Sequence, residues 1–229
     1  MKLVVKIGGS LLFEEGGKYN PVRFKEYAQV IRKIKSQGDD LALVVGGGSL
    51  AKALVETGRI LGGDHDALDY LGIAATWVSA QLMITALGKM AYPTPIMNEE
   101  QLAALQQDER VLVLGGFQPR QSTNAVAARV AELIHSNLLI NVTDVEGVYD
   151  RDPKESDQAK LLPLLTVKQL MKIISSLECE PGTYPLFDKQ ALEIIQRARI
   201  EVWFVNGIIP SKIIDVLETK KPGTRLVSS

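Results

Sequence analysis

Lysine and glycine at the ends of apolar runs are the residues of this chain best suited to chemistry. Lys6-Ile7-Gly8-Gly9-Ser10 follows Leu3-Val4-Val5, and Gly46-Gly47-Gly48-Ser49 follows the run 41–45. Gly115-Gly116 follows 111–114 and leads to Ser122-Thr123-Asn124. Glycine lets a backbone come close to an anion, the free N–H groups at a helix start point at it, and the helix dipole favours negative charge. Any one of these clusters taken alone also fits a tight turn with no ligand. Three strand-to-glycine-to-helix junctions together point to a protein that handles several phosphate groups at once. Lys6 sharpens the reading: beside an empty loop it is an unpaired charge, and beside polyphosphate it is a point-charge clamp.

Other signatures compete for the same glycines. Gly46-Gly47-Gly48-Ser49-Leu50-Ala51 fits the dinucleotide pattern G-x-G-x-x-A, with Asp64, Asp66 and Asp69 about twenty residues on. It falls in the second βα unit, however, and no strand plainly ends at those aspartates. Gly17-Lys18 and Gly88-Lys89 lack the Ser or Thr of a Walker A loop. The protein-kinase signatures and the G-x-S-x-G elbow are absent too. The two histidines, His65 and His135, read as a loop residue and a helix end favoured by the dipole.

The elements that must hold these residues follow from the hydrophobic pattern. Strand-like runs at 2–7, 41–45, 111–114, 138–142 and 202–205 alternate with helical patterns at 21–36, 49–61, 68–90, 99–106, 123–135, 167–177 and 189–198. Several strands are continuous apolar runs, as parallel strands covered on both faces are. Loops are expected at 14–20, 150–160 and 178–185, and 224–228 reads as a short closing edge strand. The helical pattern 68–90 carries apolar residues on more than one face, Trp77, Leu82, Met83, Ile84 and Leu87 among them, which predicts a partner surface.

At 229 residues the chain is long enough for one large α/β domain or two small lobes. A net charge of −1, from 26 basic and 27 acidic residues, gives no electrostatic footprint for nucleic acid or an anionic membrane. The single Cys179 excludes an internal disulfide and a cysteine metal cluster, so a reducing cytoplasm is expected. The run 71–87 is interrupted by Thr76, Ser79, Gln81 and Thr85, which predicts a buried or interface helix and not a membrane span. Residues 1–10 begin a strand without the features of a signal or transit peptide.

Five segments occur in order: Lys6 to Ser10, Val45 to Ser49, Gly115-Gly116-Phe117-Gln118-Pro119, Ser122-Thr123, and Thr143-Asp144-Val145-Glu146-Gly147-Val148-Tyr149 with Asp152-Pro153-Lys154. Together they resemble the amino acid kinase family, in its archaeal-type UMP kinase branch, over nearly the whole chain. The resemblance implies a three-layer αβα sandwich around a mostly parallel sheet in a single domain, 1–229. Its acceptor side would span about 1–135 and its ATP side about 136–229. It implies ATP-dependent phosphorylation of UMP to UDP in pyrimidine nucleotide synthesis, with Mg²⁺ carried by the phosphates and no protein metal site. A kinase of another small phosphate or carboxylate, or a non-catalytic nucleotide- or oxyanion-binding relative, is the alternative in this fold.

Residue by residue, the resemblance implies that Lys6, Ile7, Gly8, Gly9 and Ser10 line the transferred phosphoryl group and that Lys6 neutralises its charge. Gly47 would meet the UMP phosphate, Gly48 and Lys52 would face ATP, and Asp69 would hold the acceptor ribose. Phe117, Gln118, Pro119, Arg120, Gln121, Ser122 and Thr123 would wrap the UMP. Thr143, Tyr149 and Asp152 would lie at the adenosine, and Asp188 near the reaction centre. A homohexamer, built as a trimer of dimers, is the implied assembly. The chain departs from the pattern at Lys52, where arginine is common, at Arg120, where glycine is usual, and at Glu193, where a basic residue is frequent. Arg120 is expected to contact the acceptor or its phosphate, because a guanidinium holds phosphate oxygens in a fork.

Overall fold

The computed structural model describes residues 2–151, 153, 156–177 and 187–228. Among these, seven strands form one sheet: β1 (Lys2–Ile7), β2 (Asp40–Val45), β3 (Leu112–Leu114), β4 (Leu138–Thr143), β5 (Leu164–Thr166), β6 (Glu201–Asn206) and β7 (Thr224–Val227). They lie in the order β3-β2-β1-β4-β6-β7-β5. Every neighbouring pair is parallel except β6 and β7, which are antiparallel. Eight helices connect them: α1 (Pro21–Lys35), α2 (Gly48–Ile60), α3 (His65–Leu87), α4 (Glu99–Ala104), α5 (Thr123–Leu133), α6 (Val167–Leu177), α7 (Lys189–Ala198) and α8 (Lys212–Thr219).

The continuous apolar strands are explained by two cores, one on each face of the sheet. Leu3, Val5 and Ile7 of β1 pack with Tyr27 of α1, Met83 of α3 and Ile213 of α8. Val4 of β1 points the other way, to Ala128 of α5 and Leu192 of α7. Alternation along the strand therefore sends Lys6 to the α5 and α7 face. The result is the expected three-layer αβα sandwich. Side chains start the helices where the sequence supplies them: Asn20 caps α1 ahead of Pro21, Asp64 caps α3, Ser122 caps α5 and Asp188 caps α7.

Three elements differ from expectation, since β5 and α8 fall outside the expected runs and β7 has another place in the sheet. The closing strand β7 is not an edge strand, because β5 pairs outside it and takes the edge. Helix α8 carries Ile213, Ile214 and Val216 inward over a single short amphipathic stretch. Helix α3 and its continuation, His65–Met90, are long and apolar enough to cross a membrane by composition alone. Here the segment packs on the sheet and buries Ile73, Ala80, Met83 and Leu87. The loop expected over 178–185 lies outside the described residues, as does Asp152.

β1 is flanked by β2 on one side and β4 on the other, so the chain reverses its direction of travel across the sheet there. In parallel sheets, ligands bind beyond the C-terminal ends of the strands at such a point. Both glycine loops stand at this position and meet each other directly. A methyl placed on Gly9 would lie 2.6 Å from Gly48 Cα, and one on Gly46 would lie 2.7 Å from Gly9 N. Gly9→Ala is therefore expected to cost about 1–3 kcal/mol in folding stability, on the usual scale of forced overpacking. Urea denaturation measures it, and an unchanged midpoint would mean that the loops separate freely.

Candidate active site

The site begins with backbone. Gly46 N–H donates to Ile7 O at 3.0 Å and Gly8 N–H to Val142 O at 2.9 Å, which locks the ends of β1, β2 and β4 into one rim. Helix α2 starts from this rim with Gly47 at its cap position and no side chain closing its first N–H groups. Those donors are left for a ligand, and the dipole of the 13-residue helix favours an anion there. A cavity of about 320 Å³ opens beside them, lined by Gly9, Gly47, Asp69, Thr76, Gln121 and Thr123 among others.

Helix α3 fixes the far wall. Thr76 Oγ1 accepts from Gly116 N at 2.7 Å, and Trp77 Nε1 donates to Gly116 O at 2.9 Å. The loop after β3 is thus pinned through both backbone groups of one glycine. Methyls on Gly115 and Gly116 would come 3.1 Å from Thr76 C and Ile73 Cγ1, which explains the residue type at both positions. Asp69 Oδ2 accepts from Arg120 N at 2.7 Å, and its second oxygen remains available to a ligand hydroxyl. Gln121 Oε1 is buried in the cavity wall without a hydrogen-bond partner.

Lys6 stands on the sheet behind this rim. Burial of its ammonium lowers its pKa to about 8, against the opposing pull of Asp144 and Asp188. Asp188 caps α7 by accepting from Ala191 N at 2.9 Å and also accepts a short hydrogen bond from the Ser122 hydroxyl. It is therefore both a helix cap and part of the charge around Lys6. Ser122 in turn caps α5 through Asn124 N and Ala125 N at 3.1 and 3.0 Å.

The C-terminal end of β4 holds a second group. Thr143 lies beside Asp144, and Tyr149 is half-buried in a bridge to Leu161. Glu146 accepts from Lys212 Nζ at 2.7 Å and from Asn206 Nδ2 at 2.9 Å. The hydrogen bond from Lys212 holds the Glu146 carboxyl below its usual range. This pair ties the turn after β4 to α8 and β6.

Seven of the twenty site residues singled out in the sequence line the cavity. They are Gly9, Gly47, Gly48, Asp69, Gln118, Gln121 and Thr123, while Gly8 is bonded to the end of β4 and Asp188 acts on the charge of Lys6. Ile7 is core, Ser10 and Lys52 are exposed, and Phe117 packs against the α5 side. Arg120 stands apart. Its side chain is 79% exposed and pairs with Asp66 Oδ1 at 3.1 Å, and Arg120 is not among the residues lining the cavity. It reaches the site through its backbone N–H, at a positive φ of 61° that glycine adopts without strain. Thr76, Asn141 and Lys212 are site neighbours that the motifs do not contain. Asn141 alone left a signal, as an amide inside an apolar strand.

The fold and the site define a class: an αβα protein with glycine loops and a half-buried lysine at the C-terminal ends of parallel strands. Residues 1–206 match the Amino acid kinase family, and the chain belongs to that family. It is 40% identical over 225 residues to a uridylate kinase of Sulfurisphaera tokodaii, covering 98% of each chain. With a uridylate kinase of Methanobrevibacter smithii it shares 35% over 228 residues, covering 100% of both. The crystal structure of uridylate kinase from Archaeoglobus fulgidus matches with a TM-score of 0.87 at 34% identity, over 99% of this chain and 100% of that one.

Two outcomes follow for the site. Unfolded lysine keeps its proton up to about pH 10.5 and folded Lys6 up to about 8. Between those values the unfolded chain binds more protons, so the contribution of Lys6 to stability rises with pH across that window and is least favourable below it. Lys6→Met is expected to melt above wild type at pH 7, with the gap narrowing toward pH 10, while turnover falls about a hundredfold or more. Equal melting at pH 7 would show that burial of the ammonium costs nothing. The exposed Arg120–Asp66 pair belongs to a kind worth about 0–1 kcal/mol. Arg120→Gly and Asp66→Ala should therefore raise the acceptor KM equally, by about threefold or less. A large rise confined to Arg120→Gly places the guanidinium on the acceptor instead.

Proposed function

We propose that this chain transfers the γ-phosphoryl group of ATP to UMP, yielding ADP and UDP, as a step of pyrimidine nucleotide synthesis in the cytoplasm. The observation that carries the reading is one continuous site. An open helix N-terminus, a cavity and a half-buried lysine lie where β1, β2 and β4 end. The printed name of the full-length relatives, uridylate kinase, supports a uridylate as the acceptor.

In this reading the UMP phosphate sits on Gly47 and the α2 N-terminus, with the ribose on Asp69. Gln118, Gln121 and Thr123 border the base. The ATP phosphates lie over Gly8, Gly9, Ser10 and Gly48, within reach of Lys52, with the adenosine toward Thr143, Tyr149 and Asp152. Mg²⁺ travels with the phosphates and neutralises part of their charge. The acceptor oxygen is already ionised, so no general base is required. Catalysis then consists of alignment and of charge stabilisation as the bond to ADP breaks and the bond to UMP forms. Lys6 serves this step because its ammonium is fixed where two anions meet, and its attraction grows as charge spreads over the moving group.

The chain also acts as a homo-oligomer in this reading, a hexamer built as a trimer of dimers. Its support is the outer side of α3, where Tyr70, Val78 and Leu82 are exposed beside an apolar groove of about 600 Å³ shared with α1. The deciding experiment incubates purified protein with ATP and Mg²⁺ against UMP, CMP, dUMP and isopentenyl phosphate. UDP is expected, with UMP preferred to CMP. No UDP at millimolar UMP, alongside ready turnover of another acceptor, overturns the assignment. Light scattering on the same preparation is expected to give a species several times the 25.1 kDa of one chain, and a stable monomer on dilution removes the assembly.

A further inference from the structure

β4 reads Leu138-Leu139-Ile140-Asn141-Val142-Thr143, and Asn141 is the only amide in it. The parallel register sets Asn141 beside Lys6 on β1 and beside Phe204 on β6. All three side chains therefore leave the sheet on the same face, toward α5 and α7. Asn141 is 1% exposed. Its Nδ2 reaches Asn124 Oδ1 at 3.4 Å, and its Oδ1 is buried with no hydrogen-bond partner.

A buried amide oxygen without a donor costs about 1–3 kcal/mol, and a leucine of similar size removes that cost. Of the two register neighbours, Phe204 offers no donor and Lys6 offers three. The charged groups acting on Lys6 are Asp144, just past the end of β4, and Asp188, at the cap of α7. Both are anions, and an ammonium bound tightly to either has part of its charge neutralised before any phosphate arrives. A neutral carbonyl is a different anchor: it fixes the direction of one N–H and leaves the full positive charge for the phosphates.

We propose that Asn141 is a positioning residue for Lys6, its Oδ1 accepting a hydrogen bond from the Lys6 ammonium in the substrate-loaded enzyme so that the remaining N–H groups face the transferring phosphoryl group. The inference rests on the role given to Lys6 under the proposed function. It adds that the lysine is aimed from below, by a group that touches no substrate. The carbonyl also favours the charged form of Lys6 and opposes the burial that lowers its pKa.

The test uses full-length protein with ATP, Mg²⁺ and UMP, and the variants Asn141→Leu, Asn141→Ser, Lys6→Ala and the double variant Lys6→Ala/Asn141→Leu. Asn141→Leu is expected to melt no lower than wild type and to keep both KM values within about twofold, while kcat falls about tenfold. The alkaline limb of kcat should move down by about one pH unit, the scale of one lost hydrogen bond to a charged group. Asn141→Ser, too short to reach the ammonium, should show the same loss and the same shift, and it carries the test if the leucine variant does not fold. In the Lys6→Ala background the leucine change should alter kcat by less than about twofold, because the two residues act as one unit.

An alkaline limb that stays in place, or an equal loss of kcat with and without Lys6, overturns the inference and leaves Asn141 a purely structural residue. Failure of the proposed function is separable, since it appears as wild-type protein that makes no UDP. In that event the Lys6 ammonium is titrated by NMR with ATP and Mg²⁺ bound. A Lys6 pKa unchanged by Asn141→Leu then counts against Asn141 alone, and a lowered one supports it.

Discussion

The site depends on two backbones being closer than any side chain allows. Gly9 and the Gly46–Gly48 turn touch atom to atom at the ends of adjacent strands, and a methyl on Gly48 would also lie 2.6 Å from Gly9 O. This contact makes two ordinary strand-to-helix turns into one rim. It also aims α2, because Gly48 takes a φ of 57° to leave the turn and begin the helix. The open N–H groups of α2 consequently face the same space as the β1 loop, and Lys6 stands two residues before Gly8 on the strand that carries that loop. An anion bound by one loop is thereby held against the other.

The second constraint is the burial of polar groups in a sheet covered on both faces. Lys6 and Asn141 sit side by side in the apolar interiors of their strands, where leucine or valine would pack without desolvation cost. A fold that keeps both gives up stability at the place where charge has to be handled, as functional sites commonly do. The low pKa of Lys6 and the unpartnered Asn141 Oδ1 are two measures of this cost.

Period and punctuation made most of the architecture legible in the sequence. β1, β2, β4 and β6 are continuous apolar runs, and α1, α6 and α7 lie within a residue of the helical patterns because proline, a side-chain cap or a change of period marks their ends. β5 is three residues long with only Leu165 buried, too short for a period to register. The edge position assigned to β7 failed because β5 comes earlier in the chain yet pairs outside it, a non-local fact that no local pattern contains. Glycine spacing marked the rim where the two loops meet, but motif order could not say which way a loop side chain turns. Arg120 is drawn outward by Asp66, 54 residues away in sequence, and the Glu146–Lys212 pair spans 66.

Helix α3 joins the cavity to the molecular surface. Asp69, Gly72, Ile73 and Thr76 recur at spacings of three and one, which places them along one face of the helix, and that face lines the cavity. Tyr70, Val78 and Leu82 belong to the other side and are exposed. The helix is apolar on both sides, one turned to the cavity and the sheet and the other exposed. It is also a rigid rod of 23 residues, so restraint applied to its outer side acts on the positions of Asp69 and Thr76 together. Those two side chains hold the loop after β3 through Arg120 N and Gly116 N. The geometry of the cavity wall and any contact made by the outer face of α3 are therefore linked through one element.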